Sequence, residues 1–359
     1  MKTFSPTFTP SQTIGPQMEK EVTILDLARQ LNVSIATISR ALNDDPVVSK
    51  KTKKRIADLA NELGYRHNRF ASSLRQQKSH TIGVLVHELN SNFITSVLAG
   101  IEKITTDAGY DIIIGHSGES FEKEQANALN LYHKRVDGLI ASLSFETTSL
   151  KHFEPFEKKG IPVVFFDRVE ENSDTFKVVI DNYKAGFIAT QHLLEQGCKR
   201  VAMVTASLKR NVYAQRYRGY VDAQIDRGLV PDNSRVLVKD LSEKSGIECA
   251  LELIAMDPMP DGAFITNDFV AAQCMRTLKE HGIRIPDDIA IVGFNNDAIS
   301  RIVEPTLSTI DYPGIELGKI AAQSLMDHLK GEKNIRQTST IIVRSELLVR
   351  GSSQKKIKL

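Results

Sequence analysis

From Thr81 onward the chain repeats one unit: an apolar strand, a loop, an amphipathic helix and a glycine before the next strand. Gly109, Gly160, Gly197, Gly228 and Gly282 each close a helix, because glycine adopts the left-handed conformation that ends one without a Cβ penalty. Strand candidates at 82–86, 111–114, 138–141, 162–166, 201–204, 263–266 and 289–292 are near-continuous apolar runs. Strands buried on both faces read this way, and they belong to parallel sheets flanked by helices. The repeat therefore restricts the chain to a doubly wound α/β architecture. About 280 residues exceed what one sheet usually holds, so a core of two lobes with a cleft between them is expected.

The residues before the repeat follow another period. Residues 1–20 are rich in Thr, Ser, Pro and Gln with no periodic apolar positions, which predicts a disordered extension; Met18 offers an alternative start. Thr23 and Asp26 then form a capping box, and Ile24, Leu27, Ala28 and Leu31 share one helix face. Asn32 suits a left-handed turn, and Ser34 caps a second helix whose buried stripe is Ile38, Ala41 and Leu42. A third helix starts after Ser49, buries Ile56, Leu59, Ala60 and Leu63, and stops at Gly64. Its first turns carry Lys50, Lys51, Lys53, Lys54 and Arg55, cations that oppose the helix dipole and so point to a polyanion outside the protein. A short helical stretch over 68–75 follows.

Charge divides along the same line. The formal net charge is only +2, yet residues 19–78 hold 12 Lys and Arg against 7 Asp and Glu, and residues 79–359 sum to −4. The positive charge lies at the N-terminal end, where a nucleic-acid contact would use it.

The stretch from Val22 to Asn43 resembles the helix-turn-helix of the lactose-repressor (LacI) family of bacterial transcription regulators. The resemblance runs from about residue 20 to 350. It includes Gly64-Tyr65-Arg66-His67-Asn68, Arg135-Val136-Asp137-Gly138, Arg216-x-x-Gly219-Tyr220, Asn267-Asp268, Ile285-Pro286 and Gly293-Phe294. It implies a helix-turn-helix DNA-binding domain (21–66), a hinge helix (67–78) and a two-lobed core similar to periplasmic binding proteins (79–350); the short Lys-rich end reads as a basic tail (351–359). It also implies a homodimer on a palindromic double-stranded DNA operator, acting as a repressor and controlled by a small-molecule effector, commonly a carbohydrate, bound between the lobes. The absence of leucine heptads after Val349 favours a dimer over a tetramer.

On the second helix, the positions outside the buried stripe are Ile35, Ala36, Ser39, Arg40 and Asn43. A recognition helix presents such residues to base edges: Arg40 suits guanine or phosphate, and Ile35 and Ala36 offer apolar contact only. Family members usually carry a polar residue at one of those two positions, so operator preference is expected to differ. By the same resemblance Ser34, Thr37 and Asn43 contact phosphates and bases, Asn68, Arg69 and Ser72 line the hinge, and Leu74 is the wedge inserted between base steps. His67 replaces the family's usual proline at the approach to the hinge. In the cleft, the effector-binding positions are Phe93, Asp167, Arg216, Asn267, Asp268 and Asn295; the last replaces the family's aspartate and loses a charged acceptor.

Other function classes fare worse. Cys198, Cys249 and Cys274 are odd in number and far apart, so no disulfide framework or zinc site is expected. No apolar run approaches the roughly 18 residues of a membrane span, and the N-terminus lacks a signal-peptide core, which predicts a cytoplasmic protein with no membrane partner. No G-x-G-x-x-G or Walker loop follows the first strand, and Gly115-His116-Ser117-Gly118 is no nucleophile elbow because Glu119 stands in place of the second glycine. Neither an enzyme, a cofactor nor a bound metal is expected. The rival reading is a solute-binding receptor without a DNA role, since the core alone would read that way.

Overall fold

The computed structural model describes residues 22–65 and 78–355, which form two compact units. The expected extension over 1–20 and the hinge residues Asn68, Arg69, Ser72 and Leu74 lie outside the described residues.

The first unit is three helices, α1 (Ile24–Leu31), α2 (Ile35–Leu42) and α3 (Lys50–Glu62). Asp26 accepts hydrogen bonds from both the backbone N and the Oγ1 of Thr23, closing the start of α1. Asn32 takes φ 52° at the turn, and the Ser34 and Ser49 hydroxyls accept from the backbone N–H of Thr37 and Thr52 to begin α2 and α3. Leu27, Ile38 and Ile56 are fully buried where the three helices meet. Each fully buried aliphatic side chain contributes about 1.5–3 kcal/mol, so this small core depends on few residues.

The second unit holds two six-stranded sheets. The first contains β1 (Thr81–Val86), β2 (Asp111–His116), β3 (Gly138–Ala141), β4 (Val163–Phe166), β5 (Phe176–Ile180) and β11 (Thr340–Val343), in the order β11-β5-β4-β3-β1-β2 and all parallel. The second contains β6 (Val201–Thr205), β7 (Val236–Val238), β8 (Gly262–Ile265), β9 (Ala290–Asn295), β10 (Ser308–Asp311) and β12 (Leu347–Leu348). Its order is β12-β10-β9-β8-β6-β7, parallel except where β12 runs against β10. Central strands such as β3, β6 and β8 are buried along their whole length.

The chain therefore passes between lobes three times: between β5 and β6, between β10 and β11, and between β11 and β12. Five helices bear on the site. They are α4 (Asn92–Asp107) in the first lobe, α7 (Asn182–Glu195), α8 (Asn211–Asp226) and α10 (Asp268–Glu280) in the second, and α12 (Gly314–Lys330), which follows the second crossing. Close approach of α7 and α8 requires glycine: a Cβ at Gly186 would lie 2.2 Å from the Arg216 carbonyl oxygen, and one at Gly219 would lie 2.2 Å from that of Tyr183.

The core does not stop at residue 350. Ser352 and Ser353, assigned to a basic tail by their lysine-rich neighbourhood, are fully buried; the Ser352 hydroxyl donates to the Ile291 carbonyl and the Ser353 hydroxyl to Ser308. Two small hydroxyl residues carry no periodic apolar signal, so their burial was invisible in the pattern.

Candidate functional site

In the helical unit, α2 turns Ser34, Ile35, Ala36, Arg40 and Asn43 to solvent, with Thr37 and Ser39 half-buried beside them. Some polar groups are already engaged: Ser34 and Thr37 share a hydroxyl contact of 2.9 Å, and Asn43 Nδ2 donates to the Ser39 carbonyl. The Arg40 guanidinium makes no hydrogen bond or ion pair among the described residues, so its fork is available to an outside acceptor. The basic cluster on α3 is not uniform. Lys53 is spent inside the protein, its Nζ donating to the Asp44 carboxylate at 2.6 Å and carbonyl at 2.8 Å, whereas Lys50, Lys51, Lys54 and Arg55 are exposed.

In the second unit, the lobe junction gathers three of the six expected effector positions. Asp167 follows β4 at φ 57°, and its Oδ1 accepts from the Tyr312 hydroxyl at 2.8 Å. Tyr312 stacks on Phe93 with centroids 4.1 Å apart and meets Phe294 edge-on. Phe93 lies in the first turn of α4, which Ser91 caps, and one face of its ring is covered by Tyr312. Arg216 donates Nε to Asn182 Oδ1 at 2.9 Å and lays its guanidinium 3.5 Å from the centre of the Phe294 ring. A desolvated cation over an aromatic face gains about 2 kcal/mol, which fixes the guanidinium while leaving its other donors for a ligand. Burial lowers the Arg216 pKa and raises that of Asp167, the latter opposed by Arg168, Arg216 and the Tyr312 hydroxyl.

The other three positions lie just after β8 and at the end of β9. The Asn267 side chain caps α10 by accepting from Val270 N. Asp268 is fully buried with both oxygens taken, one accepting from Asp297 N at 2.8 Å and the other from Thr309 Oγ1 at 2.7 Å. Burial pushes its pKa up to about 7 and that of Asp297 up to about 6. Asn295, at φ 115°, faces Asp297 through Nδ2 at 3.5 Å. The geometry gives Asp268 the work of holding the β9 loop to β10. It also explains Gly293, where a Cβ would sit 2.2 Å from the Asp268 carboxylate.

The start of α8 ties the lobes together. Asn211 accepts from Val169 N and donates to the Asp167 carbonyl, Gln215 donates to Glu171, and Arg210 donates Nη2 to the Thr147 carbonyl at 2.7 Å. Beside them Arg168 pairs with Glu119 at 2.7 Å, donates to the Tyr213 hydroxyl and stacks 4.0 Å over Phe145.

Residues 190–353 match the family described as periplasmic binding protein-like domain, and residues 23–68 match the bacterial regulatory proteins, lacI family. Catabolite control protein A of Priestia megaterium is 33% identical over 87% of this chain and 93% of its own length. This chain belongs to the LacI family. A ribose operon repressor of Halalkalibacterium halodurans is 31% identical over 92% of this chain and 97% of its own. The lac repressor dimer bound to operator and the anti-inducer ONPF shares the fold, with TM-score 0.84 and 23% identity over 94% of this chain and all of that one. As a LacI-family protein, the chain is a DNA-binding transcriptional regulator with a helix-turn-helix followed by a two-lobed α/β core.

Within that LacI-family core, sequence reasoning missed Tyr312, Asn182, Arg168, Tyr213 and Arg210. Tyr312 and Asn182 sit at crossings between lobes, and polar or aromatic residues beside a strand end in Asp311-Tyr312-Pro313 were the available signal. Among the described residues, no helix is long and apolar enough to cross a membrane.

Proposed function

We propose that this regulator is a cytoplasmic repressor that binds a palindromic operator as a homodimer, with the exposed face of α2 reading bases and a small molecule in the interlobe cleft controlling it. The observations that carry the reading are an outward Arg40 in the head, without a partner among the described residues, and a buried, pre-oriented Arg216 in the core. Ser34, Ile35, Ala36, Thr37, Ser39 and Asn43 complete the DNA face, and Asn68, Arg69, Ser72 and Leu74 serve as the hinge contacts. Phe93, Asp167, Arg216, Asn267 and Asn295 contact the ligand, which the polar lining suits to a hydroxyl-rich compound such as a carbohydrate; Asp268 acts by positioning the Asn295 loop. The domain limits are 21–66, 67–78 and a core that runs from 79 to at least 355. Because a ligand shifts an equilibrium only by its difference in affinity for two states, control requires that it favour one lobe arrangement.

In vitro selection of randomised duplexes by the full chain tests this directly. The expected product is an inverted repeat bound with a strongly negative salt slope, since each neutralised phosphate contributes about −0.9 to the log-log dependence. Selection of no common sequence would contradict it.

A further inference from the structure

The first sheet is parallel throughout, so all its strands begin at one edge and end at the other. The two edges differ in charge. The loops leaving β1, β2, β3 and β4 (87–91, 117–120, 142–150 and 167–175) hold one Lys or Arg against seven Asp and Glu. Those leading into β3, β4 and β11 (134–137, 159–162 and 331–339) hold five Lys and Arg against two Asp and Glu. In a core whose formal charge is negative, this second edge is a positive exception.

Most of those cations are open to an outside partner. Lys134 and Arg135 precede β3, Lys159 precedes β4 and Arg336 precedes β11; all four are exposed and none makes an ion pair among the described residues. Lys159 rests its ammonium 5.2 Å from the centre of the Tyr132 ring, whereas Lys333 is paired with Asp327 at 3.1 Å. Glu157 and Glu332 are exposed beside the four in the chain and pair with none of them. Asp111 begins β2, on the other side of β1. The positive edge is also where the head is tied on. Asp137 accepts from Ser79 N at 2.8 Å, Ser79 Oγ at 3.0 Å and His80 N at 2.9 Å, fixing the chain as it enters β1. The order β11-β5-β4-β3-β1-β2 sets Lys134 and Arg135 one strand from that entry, Lys159 two and Arg336 four. At about 4.8 Å per strand these cations spread over roughly 20 Å. The link over 66–77 reaches at most about 45 Å, so a duplex on the head is kept within range of this edge.

We propose that the edge of the first lobe at which the chain enters is a second DNA contact, where Lys134, Arg135, Lys159 and Arg336 bind backbone phosphates of the duplex flanking the operator. The inference rests on the reading of the head: α2 and the hinge contacts occupy the half-sites and the centre, which leaves the flanks to the core. Contacts of this kind carry no sequence information and add affinity and salt dependence. A few exposed cations bind a duplex weakly by themselves, so the contact depends on a folded head that holds the DNA nearby.

Fluorescence anisotropy of the full chain, titrated onto two duplexes that share the selected operator, tests it. One duplex is cut at the ends of the half-sites and the other is extended by about 15 base pairs, roughly 50 Å, on each side. Duplex ends condense fewer counterions, so the quantity read is the difference between variant and wild type on the same duplex. The variant with Lys134→Gln, Arg135→Gln, Lys159→Gln and Arg336→Gln should bind the long duplex at least about tenfold more weakly at about 50 mM salt, with a slope shallower by about 0.9 per phosphate given up. On the short duplex it should match the wild type. Lys134→Arg with Lys159→Arg, which keeps the charge, should behave as wild type on both. Thermal melts without DNA show whether the fourfold variant is folded; if it is not, Lys134→Gln and Lys159→Gln singly carry the same comparison at smaller size. The proposal is overturned if the variant binds the long duplex like the wild type, or if it loses equally on both, which would assign the cations to the head or hinge. Should selection yield no operator, the reading of the head fails, and long and short duplexes of arbitrary sequence test this edge by the same difference.

Discussion

The two units solve recognition in opposite ways. In the head, the groups proposed to meet DNA are exposed, and those with a partner are held by neighbours within a few residues: Ser34 caps α2 and Asn43 bonds back to Ser39. In the core, the groups proposed to meet a ligand are buried and are held by residues far away in the chain, Tyr312 to Asp167 and Arg216 to Asn182. A surface built locally is robust to changes elsewhere but rests on a small apolar core. A site assembled from three chain crossings depends instead on the packing of whole helices.

The comparison can be broken most severely from the head. Ile38→Ala should cost about 2–5 kcal/mol, enough to unfold three short helices, because it opens a cavity where the helices meet. Circular dichroism and a DNA titration would then show loss of all duplex binding with the main melting transition of the core unchanged. The matching break in the core is Gly186→Val, whose side chain meets the Arg216 carbonyl at the α7–α8 contact. About 1–3 kcal/mol of overpacking should lower the core transition and abolish ligand-induced thermal shifts, while duplex binding by the head persists.

A smaller effect comes from pH. Burial raises the folded-state pKa of Asp268 to about 7, and of Asp297 to about 6, above the ordinary aspartate value near 3.9. The folded protein then holds protons that the unfolded chain releases, so this stabilisation is full below about pH 4 and is lost as pH rises toward 7. Asp268→Asn should flatten that part of the core's stability profile between pH 5 and 8, measured by thermal melts, and an unchanged slope would remove Asp268 as its source. The head, whose described acids include no buried counterpart, should not share the trend.

The smallest effect separates neighbours on one helix. Lys50→Gln should weaken binding to all duplexes alike and reduce the salt slope by about 0.9 if it contacts a phosphate. Lys53→Gln should change the slope less, because that ammonium is already paired with Asp44.

These differences also set what could be read from the sequence. The caps at Thr23, Ser34 and Ser49, the left-handed turn at Asn32 and the five helix-ending glycines are local chemistry, and the residues state them outright. The parallel sheets follow from the apolar runs. The cleft was only half legible. Motifs located Arg216 and Asn267-Asp268, but the work of Asp268 is set by Asp297 and Thr309, distant in the chain. Tyr312, Arg168 and Arg210 gain their meaning only when the crossings bring the lobes together. No periodicity records that event.

The division of labour between the two units is the central claim, and fluorescence anisotropy of the full chain on its selected operator and on a scrambled duplex tests it most directly. Arg40→Ala should lose about 1–3 kcal/mol of preference for the operator over the scrambled duplex, the value of one good base contact. Arg216→Ala should keep that preference and lose only the response to the cleft ligand. Equal loss of operator preference in both variants would contradict the account.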